Sequence, residues 1–282
     1  MSTIRDYDPF KVGVSKKALL EISSILKEYQ KDIVLVGGWT PYFLLEKYKP
    51  ENLEFNHCGS LDIDLAIDFI SLPKADEVYR TISEIIKRNG YRERVKDGAI
   101  IPYCFEREIE GNIIRIDFLA QFYGGTGKSH RTQPAQDILA RKVKGCEIAF
   151  KCNEPFLIEG MLPNGAKHKT EILVAGVPAI LTMKGYAFSN DISRTKDGYD
   201  IFSLLKYYKN GISSVKDEVG VFLSNKLVLT ALGKIKDLFN ELESVGPTAV
   251  ADFIVENKDS PDWEFQRRDA FETVQSFLKV IE

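Results

Sequence analysis

The segment LDIDLAIDF, residues 61–69, constrains the fold more than any other stretch of the chain. Its odd-numbered positions are apolar. Its even-numbered positions are Asp62, Asp64, Ala66 and Asp68, of which all but Ala66 are acidic. Because successive side chains of a β-strand point to opposite faces, this period of two produces one apolar face and one acidic face. The segment therefore predicts a core strand that carries carboxylates along its other face.

The residues before this strand predict a helix, a strand and a second helix. Residues 15–30 place apolar side chains on one helical face after a Ser15 N-cap. The sequence IVLVGGW (33–39) is typical of a short β-branched strand that ends in Gly37 and Gly38, and TPYFLLEKY continues as a helix. The predicted unit is a strand, a Gly-Gly turn and a helix.

One helix and several strands are predicted after the acidic strand. Residues 74–89 indicate a helix, and residues 100–108 and 112–123 indicate two strands joined by a tight turn. Strand patterns continue through EIAFKC (147–152) and the segments after it. The first half of the chain is therefore expected to build a sheet.

Helical periodicity begins beyond Val177 and continues to the end of the sequence. The predicted helices are 178–190, 197–209, 215–223, 225–243 and 261–281, with breakers at Gly211, Gly246–Pro247 and Ser260–Pro261. We place a boundary near Pro178 and predict two domains. The first comprises residues 1–177, and the second is a helical domain of residues 178–282.

Composition narrows the class of protein. The formal net charge is −3, from 38 basic and 41 acidic residues, which excludes a polybasic tail. The four cysteines have no CxxC spacing, which favours reduced thiols over a zinc site. The N-terminal sequence MSTIRDYDPFKVG resembles no signal peptide, and no apolar run reaches the length of about 18 residues that a membrane span needs. We expect a cytoplasmic protein with no membrane segment.

The acidic strand predicts a site for divalent cations. Asp62 and Asp64 point to the same face, roughly 6–7 Å apart along the backbone. Asp117, between two apolar residues of a neighbouring predicted strand, is the expected third carboxylate. Cations held by three carboxylates serve in-line phosphoryl chemistry, and glycines at a strand-to-helix turn, here Gly37 and Gly38, let the backbone approach a polyphosphate.

These residues resemble the nucleotidyltransferase fold of the DNA polymerase β superfamily. That fold is marked by a GG or GS turn, a DxD strand and a third aspartate. The interval from Gly38 to Asp62 is longer than in the polymerase pattern. It is similar to the AbiEii and MenT branch of toxin nucleotidyltransferases, which carries the phrase GS-x-DIDL, here residues 59–65.

Later residues extend the resemblance to this branch. It has a lysine on a helix, then a basic residue and a KD-x-x-D run. The corresponding residues here are Lys184, Arg194 and the run 196–200. The resemblance covers roughly residues 33–210, and its motifs fall in the expected order. Residues 211–282 carry no recognisable motif.

The resemblance implies an α+β fold, in which a nucleotidyltransferase-fold mixed sheet with flanking helices precedes a helical C-terminal region. It implies transfer of a nucleoside monophosphate from a nucleoside triphosphate (NTP) to a hydroxyl, with Mg²⁺ or Mn²⁺. The roles it implies are metal ligands at Asp62, Asp64 and Asp117, catalysis by Asp117, Lys184 and Asp200, and nucleotide binding by Gly37, Gly38, Ser60, Lys184 and Asp197.

The resemblance further implies the toxin of a type IV toxin–antitoxin or phage-defence pair, with a cognate antitoxin protein as a partner. Its acceptor would be RNA, such as the tRNA acceptor end. Five basic residues after the Asp117 strand favour RNA, namely Lys128, Arg131, Arg141, Lys142 and Lys144. The alternatives are a nucleotidyltransferase for an antibiotic or another small molecule, and a non-catalytic binding module.

Several residues have a second interpretation at this stage. Lys184 is also consistent with a surface lysine of an amphipathic helix, and Asp200 with a simple partner of Arg194. His57 is interpreted as a loop histidine, close enough in sequence to the GS motif for phosphate contact. The GGTGK segment (124–128) lacks P-loop spacing and is interpreted as a flexible loop.

Overall fold

The computed structural model describes residues 2–69, 71, 80–122, 132–135 and 137–281. In chain order, its main elements are α1 (Pro9–Ile25), β1 (Ile33–Val36), α2 (Trp39–Tyr48), β2 (Ile63–Ile67), α3 (Ile82–Arg88), β3 (Arg92–Lys96), β4 (Ala99–Ile109), β5 (Asn112–Gln121), β6 (Thr132–Ala135), β7 (Ile138–Val143), α4 (Cys146–Lys151), β8 (Asn153–Met161), β9 (Lys167–Ala175), α5 (Val177–Asn190), α6 (Thr195–Tyr207), α7 (Ile212–Gly220), α8 (Lys226–Leu238), α9 (Val245–Ile254) and α10 (Pro261–Ile281). Short 3₁₀ turns lie at Ile4–Asp6 and Lys27–Tyr29.

The chain groups into two units by its internal contacts. The sheet unit comprises residues 9–39 and 60–175, and the helical unit comprises residues 1–8, 40–59 and 176–282. The division at residues 175 and 176 lies close to the predicted boundary near Pro178. The helical unit also takes in residues 1–8 and 40–59, which the sequence analysis assigned to the first domain.

The sheet unit is built on a mixed sheet. Its strands follow the order β3-β4-β5-β2-β1-β9-β8, with β7 beside β5 and β6 beside β7. The pairs β2–β5 and β1–β9 are parallel, whereas β1–β2 and β4–β5 are antiparallel. Helix α1 packs its apolar face on β8 and β9. The predicted mixed sheet with flanking helices, followed by a helical C-terminal region, is confirmed.

Strand β2 lies near the middle of this sheet. Ile63, Leu65 and Ile67 are buried, as the period-two pattern predicts. The predicted turn between β4 and β5 is also present, and Glu110 and Gly111 both have positive φ there, 49° and 75°. Positive φ at both central residues is the geometry of the two-residue hairpin turn that matches strand twist.

The helical unit is built around α5 and α6. Nearly every residue of these two helices is buried, because α5 packs against α6 and α8, and α6 packs against α9. Helix α5 has Pro178 in its first turn, where a missing N–H costs little. A positive φ of 64° at Gly211 directly precedes α7.

Three local predictions were wrong. Ser15 is not an N-cap, because α1 already begins at Pro9, a residue suited to a first helical position. The segment predicted as strand at 147–152 is helix α4, since a short apolar run does not distinguish strand from helix. Gly246–Pro247 does not break a helix but lies in the first turn of α9, where proline is tolerated.

Some predictions fall on residues outside the described ranges. They are the loop at 124–128, the basic residues Lys128 and Arg131, and the first part of the helix predicted at 74–89. The described part of that helix is α3. It begins after Thr81, whose side chain accepts a hydrogen bond from the Glu84 amide at 3.3 Å in a capping box.

Candidate functional site

Two of the predicted metal ligands face each other across neighbouring strands. Asp64 of β2 and Asp117 of β5 are Cα partners in a parallel pair, flanked by the pairs Ile63–Ile116 and Leu65–Phe118. Residues in register on adjacent strands lie about 4.8 Å apart and point to the same face. The four buried flanking residues therefore anchor two carboxylates side by side. Asp62 lies just before β2, two residues from Asp64.

The predicted glycine turn packs against one of these carboxylates. Gly37 has a φ of +70°, and a β-carbon there would lie 2.7 Å from the Asp64 Cγ. Only a glycine fits this conformation and this space without strain. Gly38 follows, and α2 begins at Trp39, whose indole Nε1 donates to the Ser15 hydroxyl at 3.3 Å. The turn and the start of α2 are thus fixed beside Asp64.

Ser60 supports the segment that leads into β2. Its hydroxyl is buried and donates to the carbonyl oxygen of Asp62 at 3.0 Å. The hydroxyl oxygen keeps its acceptor capacity, but its hydrogen is directed at the protein backbone. The geometry therefore gives Ser60 a part in holding the Asp62 backbone. Its predicted contact with phosphate stays a prediction.

The carboxylates share this face of the sheet with cationic side chains. Arg115 Nη1 lies 3.9 Å from Asp62 Oδ1, and the Asp62 side chain is 53% exposed. Partial burial raises the pKa of Asp62, and Asp117 raises it further, while Arg115 and Arg94 oppose the shift. Because water screens so exposed a group, we interpret the shift as small. It nevertheless indicates that Asp62 and Asp117 repel each other.

Cys104 of β4 is the other cross-strand neighbour of Asp117. Burial raises the pKa of its thiol, and the Asp117 carboxylate raises it further. The thiol is therefore protonated at neutral pH. Since magnesium prefers oxygen ligands, Cys104 borders the carboxylates without serving as a ligand.

The oxygen donors present suit a hard divalent cation. Within the described residues, no group of three or more His, Cys, Asp or Glu side chains is arranged to hold a metal ion. Mg²⁺, however, is usually bound by one or two carboxylates, with waters and substrate phosphates completing its shell. Asp64 and Asp117 provide such a pair, and Asp62 is directed towards Arg115. The residues fit a cation that binds together with a phosphate ligand.

A second set of predicted residues meets inside the helical unit. Lys184 of α5 contacts Asp197 Oδ1 at 2.7 Å and Asp200 Oδ2 at 2.5 Å, both carboxylates being on α6. Asp197 Oδ2 also accepts from Arg194 Nε at 2.5 Å. Lys184 is only 6% exposed, so its interpretation as a surface lysine was wrong. The partner of Arg194 is Asp197, whereas Asp200 lies deeper.

Two further residues surround Asp200. His57 Nε2 lies 2.8 Å from Asp200 Oδ1, and Lys196 Nζ lies 3.0 Å from each carboxylate oxygen. His57 lies in a loop, as the sequence analysis interpreted it, but it is also a buried partner of a carboxylate. No local signal in the sequence pairs it with Asp200, which is 143 residues away. The sequence identified Lys196 only as the first residue of the KD-x-x-D run.

The charges of this buried cluster stabilise one another. Burial alone would raise the pKa values of Asp197 and Asp200, but Lys184 and Arg194 at Asp197, and Lys184 and Lys196 at Asp200, outweigh burial and hold both below their usual range. Burial would lower the pKa values of Lys184 and Lys196, but the carboxylates outweigh it and raise both. All four groups are thus ionised at neutral pH. His57 is neutral, because burial lowers its pKa to about 4.

Three of the five basic residues predicted to favour RNA lie in the described sheet unit. Arg141 of β7 pairs in register with Leu119, two residues beyond Asp117, and its guanidinium lies 5.5 Å from the Tyr103 ring centroid. Lys142 is the next residue of β7, and the Lys144 ammonium lies 5.8 Å from the Phe122 ring centroid. Arg141 therefore lies on the same side of the sheet as the carboxylate pair.

No family model matches the sequence, and no curated protein matches it. One solved structure is similar, an antigenic nucleotidyltransferase-like protein from Paracoccidioides brasiliensis, with 13% identity, 87% of this chain and 95% of that chain covered, and a TM-score of 0.42. A likeness at this level carries no information on substrate or chemistry. No helix within the described part of the chain is long and apolar enough to cross a membrane.

Proposed function

We propose that this protein is a Mg²⁺-dependent nucleotidyltransferase that moves a nucleoside monophosphate from an NTP to a hydroxyl. The observation that supports it is the register of Asp64 with Asp117, together with a left-handed Gly37 turn packed against the Asp64 carboxylate. A carboxylate pair beside a glycine turn and a helix start suits a cation that bridges protein and polyphosphate.

Each residue of the carboxylate group has a proposed role. Asp64 and Asp117 would hold Mg²⁺ or Mn²⁺, with Asp62 as a third ligand once it leaves Arg115. When bound, the cation would supply Lewis-acid activation of phosphoryl transfer. Asp117 is also the proposed acceptor of the proton from the attacking hydroxyl. The amides of Gly37 and Gly38 would contact phosphate oxygens.

The buried cluster has a proposed role as well. Lys184 would neutralise the negative charge that develops as pyrophosphate leaves, which is electrostatic catalysis by a preorganised group. Asp197 and Asp200 would orient its ammonium. Two ion pairs of 2.7 Å and 2.5 Å to Lys184 are consistent with such orientation. An ammonium fixed before the reaction needs no reorganisation during it.

The proposed acceptor is RNA, such as the tRNA acceptor end, and the proposed role is that of a toxin in a type IV toxin–antitoxin pair with a cognate antitoxin. Resemblance to the AbiEii and MenT branch suggests both. Arg141 supports a phosphate-rich acceptor, because a cationic side chain on the carboxylate side of the sheet would contact its backbone, and Lys142 and Lys144 add positive charge to the same segment.

Labelled nucleotide transfer tests this function. The purified protein is incubated with each α-³²P-labelled NTP, Mg²⁺ or Mn²⁺ and total RNA. We expect label in RNA, and a loss on the order of 10²-fold or more in Asp64→Asn and Asp117→Asn, since each substitution removes a charge from the cation site. Asp68→Asn is the matched control, because Asp68 follows β2 about 13 Å beyond Asp64 and outside the carboxylate pair.

The outcomes separate the alternatives. Label in a small cationic molecule that is supplied in place of RNA, with none in RNA, would indicate a small-molecule nucleotidyltransferase. No transfer with any NTP and either cation would contradict the proposed activity. Equal losses in Asp68→Asn and Asp64→Asn would show that charge on the strand matters, but not the proposed pair.

A further inference from the structure

Every acceptor position of the Asp200 carboxylate is used by an N–H donor. His57 Nε2 and Lys196 Nζ contact its Oδ1 at 2.8 and 3.0 Å, and Lys184 Nζ and Lys196 Nζ contact its Oδ2 at 2.5 and 3.0 Å. An ionised carboxylate offers about four lone-pair sites. All four are used by donors, and the side chain is fully buried. Asp200 is therefore an anchor for other side chains and not a base.

The charges around this anchor balance. The buried ammonium groups of Lys184 and Lys196 carry two positive charges, and the carboxylates of Asp197 and Asp200 carry two negative charges. Arg194 adds a further positive charge, but its side chain is 51% exposed. Removal of Lys196 would leave a buried negative charge in excess, which is unfavourable at low dielectric. The positive charge of Lys196 thus balances the negative charge of Asp200, the second carboxylate that contacts Lys184.

The two lysines differ in how their N–H groups are used. Lys196 directs its ammonium to both oxygens of Asp200 and also lies 5.3 Å from the Tyr7 ring centroid. Lys184 contacts one oxygen of Asp197 and one of Asp200. An ammonium has three donors, so among the described residues Lys184 keeps one N–H without a protein acceptor.

His57 is held in one tautomer. Because Asp200 is ionised, the His57 Nε2 must carry the hydrogen of their 2.8 Å contact. The other ring nitrogen, Nδ1, accepts from the Gly59 amide at 3.1 Å. The ring is further packed against Tyr199, with centroids 5.1 Å apart. Position, rotation and tautomer of His57 are all fixed by neighbours.

We infer that His57 and Lys196 are positioning residues that hold the Asp200 carboxylate in place. Asp200 in turn fixes the Lys184 ammonium, with one of its N–H groups directed away from Asp197 and Asp200. The inference rests on the proposed function for its catalytic consequence, because that N–H is the donor available to a phosphate oxygen. The hydrogen bond from neutral His57 orients the Asp200 carboxylate, and the positive charge of Lys196 balances its negative charge. Neither residue contacts substrate.

The first test measures Lys184 itself, without activity. In ¹⁵N-labelled protein the buried ammonium of Lys184 should produce a resolved NMR resonance, assigned by its loss in Lys184→Arg. We expect this resonance to shift or broaden in His57→Leu and in Lys196→Met, because both changes remove a donor from Asp200. It should be restored by His57→Gln, whose amide can donate from a similar position.

The matched control is Lys206→Met. Lys206 also lies on α6 and also pairs with an aspartate, Asp269, but it is outside the cluster. Its loss should leave the Lys184 resonance in place. An unchanged Lys184 resonance in both His57→Leu and Lys196→Met would overturn the inference, as would an equal change in Lys206→Met. If Lys196→Met does not fold, Lys196→Arg replaces it, since it keeps the charge but alters the geometry.

The second test measures turnover and KM for the NTP separately. His57→Leu and Lys196→Met should lower kcat on the order of 10²-fold, as expected when a catalytic group is misplaced by about 1 Å, with KM for the NTP nearly unchanged. His57→Gln should recover most of kcat. A purely structural role would reduce the folded fraction and leave the kcat of the folded protein intact, which would overturn the inference.

Failure of the proposed function looks different. If the wild-type protein transfers no nucleotide, the proposed activity is contradicted. The NMR comparison alone then decides whether His57 and Lys196 position Lys184. If transfer occurs and depends on Asp64 but not on His57 or Lys196, the proposed activity is supported and the positioning role is contradicted.

Discussion

Burial lowers the pKa of each basic side chain in the buried cluster, but the partners of that side chain decide the net shift. His57 is buried beside Asp200, yet its pKa is lowered to about 4, because desolvation and the positive charges of Lys196 and Lys184 outweigh the attraction of the carboxylate. Lys184 and Lys196 are equally buried, but their pKa values are raised, because the negative charges of Asp197 and Asp200 together outweigh desolvation at each lysine. Neutral histidine and charged lysine thus coexist within one cluster.

Acid should therefore weaken the fold through His57. Its pKa is about 6.5 unfolded and about 4 folded, so the unfolded chain binds the proton more readily between these values. Stability from this residue is present above pH 6.5 and is lost as pH falls towards 4, by up to roughly 3 kcal/mol. Urea unfolding of wild type and His57→Gln at pH 7.0, 5.5 and 4.5 measures it.

The substituted protein should lose less stability over this range, because glutamine does not titrate. His168→Gln is the control, since His168 belongs to β9 of the sheet unit and is not a member of the buried cluster. Equal losses in wild type and His57→Gln would contradict the assignment of a depressed pKa to His57.

At the level of elements, helix packing in the helical unit depends on close approach at small residues. Helix α5 is buried along almost its whole length, and Gly185 lies where it meets α8. A β-carbon at Gly185 would lie 2.9 Å from the Ala231 carbonyl oxygen and 3.2 Å from Ile235 Cγ1. Gly233, on α8 itself, is exposed and has nothing within 4 Å of such a carbon. Of these two glycines, Gly185 has a packing role and Gly233 does not.

Two alanine substitutions should consequently act in opposite directions. Gly185→Ala should lower the free energy of unfolding by about 1–3 kcal/mol, because the added methyl group overpacks the α5–α8 contact. Gly233→Ala should raise it by up to about 1 kcal/mol through helix propensity. Urea denaturation of both variants measures this, and a change of the same sign in both would contradict the packing described for Gly185.

For the whole molecule, the acidic site and the nucleotide are expected to bind as one system. Two adjacent carboxylates repel each other without a cation, and a nucleoside triphosphate is itself highly charged. Each ligand therefore improves the site for the other, since the cation neutralises the phosphates and the phosphates complete the cation's shell. Cooperative stabilisation is the expected signature.

Thermal unfolding should show this cooperativity. Mg²⁺ and an NTP together should raise Tm by more than the sum of their separate effects, because ligands that bind only the folded state stabilise it by mass action. The gain should disappear in EDTA and in Asp64→Asn. Full stabilisation by the NTP in EDTA would show that the triphosphate binds without the cation and that the carboxylate pair is not its site.

Local patterns in the sequence determined most of the elements. The alternation in residues 61–69 specified β2 and its acidic face, and helical periodicity specified α5, α6, α8 and α10, because side-chain periods of two and 3.6 residues are properties of the local backbone. Motif order also identified Asp64, Asp117, Lys184 and Asp200 as candidates. Their catalytic roles stay predictions.

Tertiary structure decided which of these residues meet and what surrounds them. The register of Asp64 with Asp117 joins strands 53 residues apart in the chain (117 − 64), and the contact of His57 with Asp200 spans 143 residues. Burial made Lys184 an ion-pair partner of two aspartates, although its helical pattern was equally consistent with a surface position. Long-range pairing and burial depend on how all elements pack together, and no local period encodes them.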